Sequence, residues 1–586
     1  MATQSTGVFD AARGLLERAP IAGVLQNLLL PGELERAWLE AARDARGPSV
    51  FANFLEAMHV RYDCASADLE RIPSKGPVVV VANHPFGLVE GAIAGALVAR
   101  ARPDFKILAN SLLAGIPALK DFVLPVDPFG GAAKANWKSL RAAIEWLRRG
   151  GVLVTFPAGE VSSLQLPKFQ IADPAWNENI ARIIQMSGAA AVPVYFHGSN
   201  GAGFQVAGLI HPTLRTALLP RELLNKRGRT IRVSLGRPIT AERVAKLRES
   251  EATNYLWQRT YVLQARRGER KRLFHIAPRR APIAGAVEPS LLRAEAERIE
   301  PLLECGDYSV RVAHSAAIPN TLREIGRLRE TAFRAAGEGT GRSLDLDRFD
   351  KHYLHLWIWN GKKNEVVGAY RLVGTDSVAS KKDLYTSTLF RFRPGLLESM
   401  HPALELGRSF VRPEYQRSYV ALLLLWKGIG QYVARNPRYR VLFGPVSISR
   451  DYNPASRAVM VSFLKARCGN PRLAEMVEPK RRFRSRRLRA CDVHLLGSLL
   501  ANVDELSDVV ADLEPDGKGI PVLLRQYLNL GGEILEFNVD ADFSDVVDGL
   551  VVVDLARMDR VLLEKYLGKP GAAEFGRFHN LKTSAG

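Results

Sequence analysis

Cysteine is scarce in this chain. There are 4 cysteines among 586 residues, and no two of them form a CxxC pair. Disulfide frameworks and zinc sites need paired or clustered cysteines, so the sequence favours neither, and a reducing compartment fits. No apolar run approaches the roughly 20 residues of a membrane-spanning helix. The first residues show no basic start with an apolar stretch and no small-residue cleavage site, so we expect a cytoplasmic protein, soluble or peripheral to a membrane.

Acidic residues are outnumbered by basic ones. The chain has 81 Lys and Arg against 61 Asp and Glu, a formal net charge of +20. This excess favours an anionic partner, which could be a membrane surface, an acidic protein or a nucleic acid, and the charge does not choose among them. At this length two domains are the default expectation.

The first half of the chain alternates strand and helix patterns. Residues 7–60 show helical spacing, which predicts helices packed on the domain; a membrane-surface helix is the alternative for the stretch that begins at Val24. From Gly76 onward the pattern predicts an α/β domain. The predicted strands are 78–82, 152–156, 189–196 and 231–235, and the predicted helices are 88–100 and 135–149.

A basic, proline-containing stretch separates the two halves. The run Arg266-Arg-Gly-Glu-Arg-Lys-Arg272 precedes Pro278 and Pro282 and is typical of a linker. We therefore predict a first domain over 1–265, a linker over 266–290 and a second domain with a C-terminal extension over 291–586. In the second half we expect helices at 321–335 and 419–434 and strands at 365–372, 404–411 and 441–448.

The first chemical motif is a histidine at a strand end. Asn83-His84-Pro85-Phe86-Gly87 directly follows four valines, where a buried strand would emerge into a loop before a helix. Binding groups of α/β sheets lie at such strand ends. A histidine there has a pKa suited to taking a proton from a hydroxyl, and Glu90 is the only acid close to it in sequence. A packed or capping histidine is the more common outcome for such a motif taken alone.

Further motifs raise the case for catalysis. Phe156-Pro157-Ala-Gly159-Glu160-Val-Ser162 is a second polar loop after a strand, and Val192-Pro-Val-Tyr195 is a third strand with a proline. This order, over about residues 70–240, resembles the glycerolipid acyltransferase superfamily. Within it, the chain is most similar to the ornithine-lipid and haemolysin-named acyltransferases. The stretches Arg102–Asn110 and Val126–Gly130 fit them too.

The resemblance assigns roles to individual residues. It implies that His84 deprotonates a lipid hydroxyl, with Glu90 as its partner and a loop amide near Gly87 or Gly159 stabilising the oxyanion. In the superfamily four residues separate the histidine from an aspartate, whereas the corresponding position 89 here is Val and the acid is Glu90, one residue later. The Phe156 motif also swaps the usual Glu-Gly order. The expected substrate-binding residues are Asn83, Phe86, Gly87, Lys106, Asn110, Asp127, Pro157, Gly159, Glu160 and Ser162.

The second half carries a different set of motifs. They are Leu328-Arg329-Glu-Thr-Ala-Phe333, a glycine-rich stretch at 337–341, Leu344-Asp-Leu-Asp347-Arg-Phe-Asp350, Val367-Gly-Ala-Tyr-Arg371-Leu372 and Ala403-Leu-Glu405-Leu-Gly-Arg408-Ser409. Their order over about 300–470 resembles acyl-homoserine-lactone synthases and ornithine N-acyltransferases, which have an N-acetyltransferase-like α+β fold. By this resemblance Glu405 is the catalytic base for an amine. Arg329, Asp347, Asp350, Arg371 and Arg408 line the site, and structural salt bridges among them are the alternative.

The expected acyl donor is inferred from a difference between this chain and the pyrophosphate loop of N-acetyltransferases. Val411-Arg-Pro-Glu-Tyr-Gln416-Arg-Ser-Tyr419 takes the place of the pyrophosphate loop of N-acetyltransferases, and Tyr419 replaces its first glycine while Gln416 is kept. Coenzyme A needs the backbone amides of that loop, whereas an acyl carrier protein presents phosphopantetheine without the pyrophosphate. We therefore expect acyl carrier protein thioesters as co-substrates, with no bound cofactor and no metal. Carrier proteins are acidic, which suits the net charge.

Together the two halves resemble the bifunctional ornithine lipid synthases. That resemblance implies that the second domain N-acylates ornithine or a similar amino acid with a 3-hydroxyacyl chain, and that the first O-acylates the hydroxyl of the product. The expected location is the inner face of the bacterial inner membrane. The alternatives are a lysophosphatidate-type O-acyltransferase with a non-catalytic second domain, or a basic membrane- or RNA-binding protein. We expect no nucleic acid partner, because RNA binders add aromatic platforms to their basic patches.

Overall fold

Two compact units make up the chain. The computed structural model describes residues 31–43, 45–110, 113, 116–126, 133–166, 169–210, 214–215, 218–266, 280–485, 488 and 490–581. The first unit comprises Met1–Gly268, Arg487–Leu499 and Ala511–Gly517, and the second comprises Glu269–Arg486, Leu500–Val510 and Lys518–Gly586. The sequence-based division kept all residues after 290 together, whereas two short segments from that region belong to the first unit. In the described ranges no helix has the length and apolar character needed to cross a membrane.

The first unit is built on a seven-stranded sheet in the order β1-β9-β8-β2-β5-β3-β4. Neighbouring strands are parallel except for the antiparallel pair β8–β9. The strands are β1 (Arg61–Asp63), β2 (Val78–Ala82), β3 (Phe105–Asn110), β4 (Val123–Val126), β5 (Val152–Thr155), β8 (Ala190–Phe196) and β9 (Thr230–Leu235). A separate antiparallel hairpin joins β6 (Ser163–Gln165) to β7 (Gln170–Ala172).

Helices surround this sheet. They are α1 (Pro31–Arg43), α2 (Ser49–Ala57), α3 (Ser66–Leu69), α4 (Val89–Ala101), α5 (Ala133–Arg148), α6 (Asn179–Ser187), α7 (Ala202–Ile210), α8 (Leu219–Leu224), α9 (Ala241–Ala245) and α10 (Glu249–Tyr261). Helix α1 packs on α2, where Trp38 stacks on Phe54 with ring centroids 3.8 Å apart. This confirms a packed helix for that part of residues 7–60. The alternative membrane-surface helix begins at Val24, outside the described residues.

Strand β2 is the centre of the first unit. All five of its side chains are buried, between β5 on one side and β8 on the other. A run of β-branched residues buried on both faces is typical of a central strand in a parallel sheet. Each valine contributes about 1.5 kcal/mol or more by leaving water. The strand therefore fixes the position of the residues that follow it.

The second unit is built on an eight-stranded sheet in the order β10-β11-β12-β13-β15-β16-β19-β18. Neighbours are antiparallel except β15 and β16. The strands are β10 (Pro301–Cys305), β11 (Tyr308–His314), β12 (Leu354–Asn360), β13 (Glu365–Gly374), β15 (Ala403–Val411), β16 (Val441–Ile448), β18 (Glu533–Asp540) and β19 (Val546–Asp554). A two-stranded sheet pairs β14 (Phe390–Phe392) with β17 (Val477–Pro479).

The remaining helices follow in chain order. Those of the second unit are α11 (Pro289–Arg298), α12 (Pro319–Ala335), α13 (Thr386–Leu389), α14 (Leu396–Met400), α15 (Tyr419–Arg435), α16 (Pro454–Arg467), α17 (Pro471–Ala474), α20 (Val522–Asn529) and α21 (Arg560–Phe578). Helix α18 (Val493–Leu499) lies in the first unit, and α19 (Val503–Leu513) enters that unit with its last residues.

Strand β15 has two irregularities in its pairing with its neighbours. Its pairing with β16 covers only Ala403–Glu405, after which the two strands diverge. Its pairing with β13 shifts between Ala369 and Arg371, so that Arg408 and Ser409 lie opposite a single residue of β13. Arg408 has φ +49°, a conformation that residues other than glycine rarely adopt and that marks functional or strained positions. This β-bulge redirects the side chains of β15 at the divergence.

Candidate active sites

His84 lies two residues beyond β2, in the loop that leads into α4. The loop begins with Asn83, whose side-chain nitrogen donates to the carbonyl of Phe196 at 3.0 Å and whose oxygen accepts from the Phe196 amide at 2.7 Å. These bonds tie the exit of β2 to the end of β8. The observed contacts of Asn83 are therefore with the backbone, and they place the histidine at the carboxyl edge of the sheet.

The imidazole of His84 meets the carboxylate of Glu90, with Nδ1 2.8 Å from Oε1. Glu90 lies in the first turn of α4 and is fully buried. The same oxygen accepts hydrogen bonds from the amides of Phe86 and Gly87 at 2.8 and 2.7 Å. The loop thus fixes the carboxylate, the carboxylate holds Nδ1 toward itself, and Nε2 is left as the ring nitrogen for a substrate.

The backbone conformation of Gly87 compensates for the longer spacing between His84 and Glu90. Its φ of +105° turns the chain toward α4, in a region of backbone conformation open mainly to glycine. A Cβ here would also lie 2.6 Å from Leu219 Cδ2 and 3.1 Å from Val161 Cγ2. The backbone can therefore turn this way only where there is no side chain, and Glu90 reaches the imidazole as a result.

The charges of His84 and Glu90 each shift the pKa of the other group. Burial opposes protonation of His84, but the charge of Glu90 and its contact with Nδ1 outweigh burial and raise the pKa of the imidazole above its usual range. Burial likewise opposes ionisation of Glu90, yet His84 and the two loop amides lower the pKa of this carboxyl. The pair therefore favours an ionised Glu90 beside an imidazole that readily takes up a proton, as a general base must.

Asp173 is a residue of this site that sequence reasoning missed. It is buried after β7, and its Oδ1 accepts from the His84 amide at 3.1 Å and from the Ser162 hydroxyl at 2.5 Å. Trp176 Nε1 donates to its other oxygen at 2.9 Å. The amide of Ser162 in turn donates to the His84 carbonyl at 2.8 Å. Asp173 and Ser162 thus hold the backbone of the catalytic loop, and no local motif marks Asp173.

The loop after β5 closes the site on one side. Phe156 lies against the His84 ring, with centroids 4.7 Å apart. The carbonyl of Pro157 accepts from the Asn177 amide at 3.0 Å. The amide of Gly159 donates to the Phe156 carbonyl at 3.0 Å, and that of Gly87 is used by Glu90. The two glycine amides expected near the oxyanion are therefore already bonded, and neither is free to stabilise one.

The observed contacts of the other predicted residues of the first unit are with groups other than the His84 imidazole. Glu160 is exposed and pairs with Arg215 at 2.8 Å. Lys106 donates to the Asp121 carbonyl at 2.8 Å and lies 5.1 Å from the Trp146 ring. Asn110 ends β3 and is half-buried. Asp127 lies outside the described residues.

The second unit brings its predicted charged residues together. Arg371 on β13 is fully buried and lies 2.7 Å from Asp347 and 3.3 Å from Asp350. Arg329 on α12 is also fully buried and lies 2.7 Å from Asp350. Arg408 lies 3.5 Å from Asp345 and 3.7 Å from Asp347. The arginines lower the pKa of Asp347 and Asp350 despite their burial, so the cluster is a network of ionised pairs.

Glu405 is the buried centre of a separate set of contacts. Its Oε1 accepts from the Thr386 amide at 2.7 Å, and its Oε2 accepts from the Tyr385 amide at 3.1 Å and from the Tyr353 hydroxyl. Glu405 thus holds the start of helix α13 and both tyrosines. Both oxygens are engaged by the protein, so its contacts are those of a positioning group; its predicted role as base stays a prediction.

Gln416 lies in an exposed loop before α15. Its side-chain nitrogen donates to the carbonyl of Val411 at 2.9 Å, back toward its own strand. Ser418 caps α15 by accepting from the Val420 amide at 3.3 Å. The start of this helix is therefore capped by the chain itself.

Three further buried carboxyls of the second unit lie outside the set of predicted site residues. Glu338 follows α12, Asp540 ends β18, and Asp548 lies on β19. The signals were present: Glu338 stands in a glycine-rich stretch, and Asp548 interrupts an apolar strand. In the described ranges no group of three His, Cys, Asp or Glu side chains is arranged to hold a metal ion.

Two known family models match separate parts of the chain. The family model described as "Acyltransferase" matches residues 48–267, and the "Acetyltransferase (GNAT) domain" model matches residues 328–427. The first match contains His84 and Glu90, and the second contains the arginine–aspartate cluster and Glu405. The chain is thus an acyltransferase with an α/β acyltransferase domain followed by an N-acetyltransferase-like domain.

Curated relatives narrow the class to a family. A glycine N(alpha)-acyltransferase of Bacteroides thetaiotaomicron is 32% identical over 300 residues, 48% of this chain and 86% of the relative. That of Phocaeicola vulgatus is 31% identical over 40% of this chain and 76% of the relative. The L-ornithine N(alpha)-acyltransferase of Brucella abortus is 26% identical over 47% and 92%. The chain belongs to the family of acyltransferases that includes the Bacteroides thetaiotaomicron protein.

One solved structure is also similar, at a low level. The 1-acyl-sn-glycerophosphate acyltransferase PlsC from Thermotoga maritima matches 42% of this chain and 88% of its own, with 18% identity and a TM-score of 0.24.

Proposed function

We propose that this chain is a bifunctional aminolipid synthase of the ornithine lipid type. The second unit N-acylates ornithine or a similar amino acid with the 3-hydroxyacyl chain of an acyl carrier protein thioester. The first unit then O-acylates the hydroxyl of that product with a second acyl thioester. The observation that carries the proposal is the contact of 2.8 Å between His84 Nδ1 and Glu90 Oε1, in a chain that also holds an N-acetyltransferase-like domain.

The O-acylation step follows from the geometry of this pair. His84 Nε2 takes the proton of the lipid hydroxyl as the oxygen attacks the thioester carbonyl carbon, and Glu90 stabilises the imidazolium that forms. The tetrahedral intermediate then expels the thiolate, which receives the proton from His84. One ester bond forms and one thioester bond breaks, and the products are the acylated lipid and a free thiol.

The N-acylation step is supported by the second domain and by the names of the relatives, which describe acyl transfer to the α-amine of glycine or ornithine. An uncharged acceptor amine attacks the thioester carbonyl, an amide bond forms, and the thiol leaves. The arginine–aspartate network would orient the acceptor carboxylate and the thioester. An acyl carrier protein as donor suits the net charge of +20, because carrier proteins are acidic. Work on a membrane lipid would place the chain at a membrane surface.

The experiment uses the purified full chain with labelled ornithine, a 3-hydroxyacyl carrier protein and a second acyl carrier protein. We expect the wild type to form the diacylated lipid. His84→Ala should lower O-acylation by about 10²- to 10⁴-fold, the usual contribution of a general base, so that the monoacylated intermediate accumulates. Mass spectrometry of the extracted lipids measures both products.

The matched control is His59→Asn, which removes an exposed histidine of the same unit. Asparagine tolerates the positive φ of that position. The control should retain the diacylated product. If no amide forms with any amino acid while lysophosphatidate is acylated, the chain is a lysophosphatidate-type O-acyltransferase and the proposal fails. If the diacylated lipid persists in His84→Ala, His84 is not the base.

A further inference from the structure

The second unit contains three buried carboxyls that the arginine network does not neutralise. They belong to Glu338, Asp540 and Asp548, which we call the acidic trio. Their residues are 8%, 8% and 5% exposed. Arg408 acts on all three electrostatically, but its own ion pairs go to Asp345 and Asp347. Buried carboxylates are costly unless they are paired with cations or hold protons, so the trio is stable either in protonated form or with a cation beside it.

Strand register places the trio on one face of the sheet. Asp548 on β19 lies directly opposite Ser447 on β16, and Asp540 pairs with Val546, two residues before Asp548. Residues opposite each other, or two apart along a strand, point to the same face. The hydroxyl of Ser447 lies 3.1 and 3.2 Å from the two carboxylate oxygens of Glu338, which brings the third carboxyl to that face.

The loop that carries Glu338 is held firmly. Glu330, fully buried on α12, accepts from the amide and hydroxyl of Thr340 and from the amide of Gly341. The hydroxyl of Ser544 donates to the Gly339 carbonyl at 3.0 Å. The position of the Glu338 carboxyl is therefore set by its framework.

Asp548 is the member of the trio without a partner among the described residues. It is 5% exposed, and its side chain forms no hydrogen bond and no ion pair with any described residue. Asp540, in contrast, accepts from the Tyr385 hydroxyl at 3.3 Å and from the Asp542 amide at 3.0 Å. Burial and the neighbouring carboxyls raise the pKa of Asp548 well above its usual range, and burial raises that of Glu338 to about 7. A bound cation would relieve both effects.

The acidic trio is connected to Glu405, which lies in the expected acyl transfer site. Glu405 and Phe443 are register partners where β15 and β16 separate. Phe443 and Ser447 are four residues apart on β16 and so share a face, which is also the face of Asp548. Tyr385 connects the two groups, because its amide donates to Glu405 and its hydroxyl to Asp540.

The chemistry of the trio suits a cation that does not react. A carboxylate beside an ammonium group stabilises its charged form, whereas the amine that attacks a thioester must be uncharged. Three carboxyls around the attacking amine would therefore slow it. They fit a second ammonium group of the same acceptor.

We propose that Glu338, Asp540 and Asp548 bind the side-chain ammonium of a diamino acid acceptor, and that they select such acceptors over amino acids with uncharged side chains. This inference rests on the proposed N-acylation by the second unit. It goes beyond that function by assigning the selectivity to three named residues.

The test compares ornithine with norvaline, which has the same carbon chain without the terminal amine. The N-acylation kcat/KM of the full chain is measured with each amino acid and one 3-hydroxyacyl carrier protein. We expect the wild type to prefer ornithine by about tenfold or more, the value of one charge-assisted hydrogen bond. Asp548→Asn should bring the ratio close to 1, mainly by raising the KM for ornithine, and Glu338→Gln should act in the same direction.

The control variant is Asp545→Asn, which removes the same charge from a half-buried residue of the neighbouring loop that pairs with Arg450 and Arg481. It should keep the wild-type ratio. The comparison of ornithine with norvaline in the wild type does not depend on whether any variant folds. Equal rates with ornithine and norvaline would overturn the inference and leave the proposed function standing, as would an unchanged ratio in Asp548→Asn and Glu338→Gln. Failure to acylate any amino acid would overturn both.

Discussion

At the scale of the residue, the first site depends on one close contact between a histidine and a carboxylate, whose spacing departs from the superfamily. His84 and Glu90 are one position further apart than the resemblance implies, and the acid is one methylene longer. The contact forms because Gly87 adopts a positive φ and because Glu90 is fixed by two loop amides. A shift in sequence spacing is thus compensated by the backbone of the loop.

The pair predicts a specific pH dependence for O-acylation. Only the neutral imidazole accepts a proton from the hydroxyl, so the rate should fall as pH drops through the pKa of His84, which Glu90 raises. Glu90→Gln removes the negative charge and should move this acid limb to lower pH. The maximal rate should fall by about tenfold or more, because the imidazolium loses its partner. The measurement is the pH profile of kcat/KM with added monoacylated substrate.

The control for charge is Glu145→Gln, on the exposed surface of α5, where Glu145 pairs with Arg141. This variant should keep the wild-type profile. An acid limb that stays in place or moves to higher pH in Glu90→Gln would show that Glu90 does not set the protonation of His84.

The sequence predicted the histidine of the first site but not all of its supports. His84 could be found because a buried strand of valines leads directly to it. Asp173 could not, because it is 89 residues away and reaches the loop only through the backbone amide of His84 and the hydroxyl of Ser162. Asn83 shows the reverse case: its position in the motif suggested substrate contact, whereas its amide joins β2 to β8.

At the scale of the element, hydrophobic periodicity predicted the elements well. The strands at 78–82 and 441–448 are confirmed at the same bounds, and the helix expected at 419–434 is found as Tyr419–Arg435. What periodicity could not give is the bulge at Arg408 or the early separation of β15 from β16. Both depend on pairing between distant strands, and they determine where Glu405 and Arg408 point.

Glu405 connects β15 to helix α13 and should therefore control N-acylation alone. In Glu405→Gln the new amide nitrogen would face a backbone or tyrosine donor, which costs a buried hydrogen bond and displaces Tyr385. We expect N-acylation to fall by about tenfold to a hundredfold. O-acylation of added N-(3-hydroxyacyl) amino acid should be unchanged. Both rates are measured on the same preparation.

The matched variant is Glu398→Gln on α14, where an exposed glutamate accepts from the Gly395 amide at 2.9 Å. It weakens a similar cap away from the site, and both rates should stay near wild type. A parallel loss of O-acylation in Glu405→Gln would mean that the two units depend on each other. Unchanged N-acylation would remove Glu405 from the site.

At the scale of the whole molecule, the two units are not two consecutive stretches of the sequence. Two segments of the last hundred residues complete the first unit, although they follow the N-acetyltransferase-like domain in sequence. Asp512 is the charged group that ties one of them in place. It is 1% exposed and lies 2.9 Å from Arg71 and 3.3 Å from Arg259. A linear division at residue 290 could not anticipate this contact.

Asp512 should therefore stabilise the first unit, which carries His84, although the residues just before Asp512's segment in sequence belong to the second unit. Asp512→Asn leaves the buried Arg259 without its carboxylate, and breaking a buried pair on one side costs about 3 kcal/mol. We expect O-acylation to lose heat resistance while N-acylation keeps it. The measurement is the residual rate of each reaction after brief heating of the full chain over a temperature series.

The comparison variant lies on the same helix. Asp504→Asn removes an equal charge from an exposed pair with Arg525, which is worth no more than about 1 kcal/mol, and should leave both heat profiles unchanged. If Asp512→Asn lowers the heat resistance of both reactions equally, the two units unfold together. If it changes neither, the contacts of Asp512 do not hold the first unit. Selective loss of O-acylation would show that the first active site needs a segment of chain that follows the acetyltransferase match at residues 328–427 in sequence.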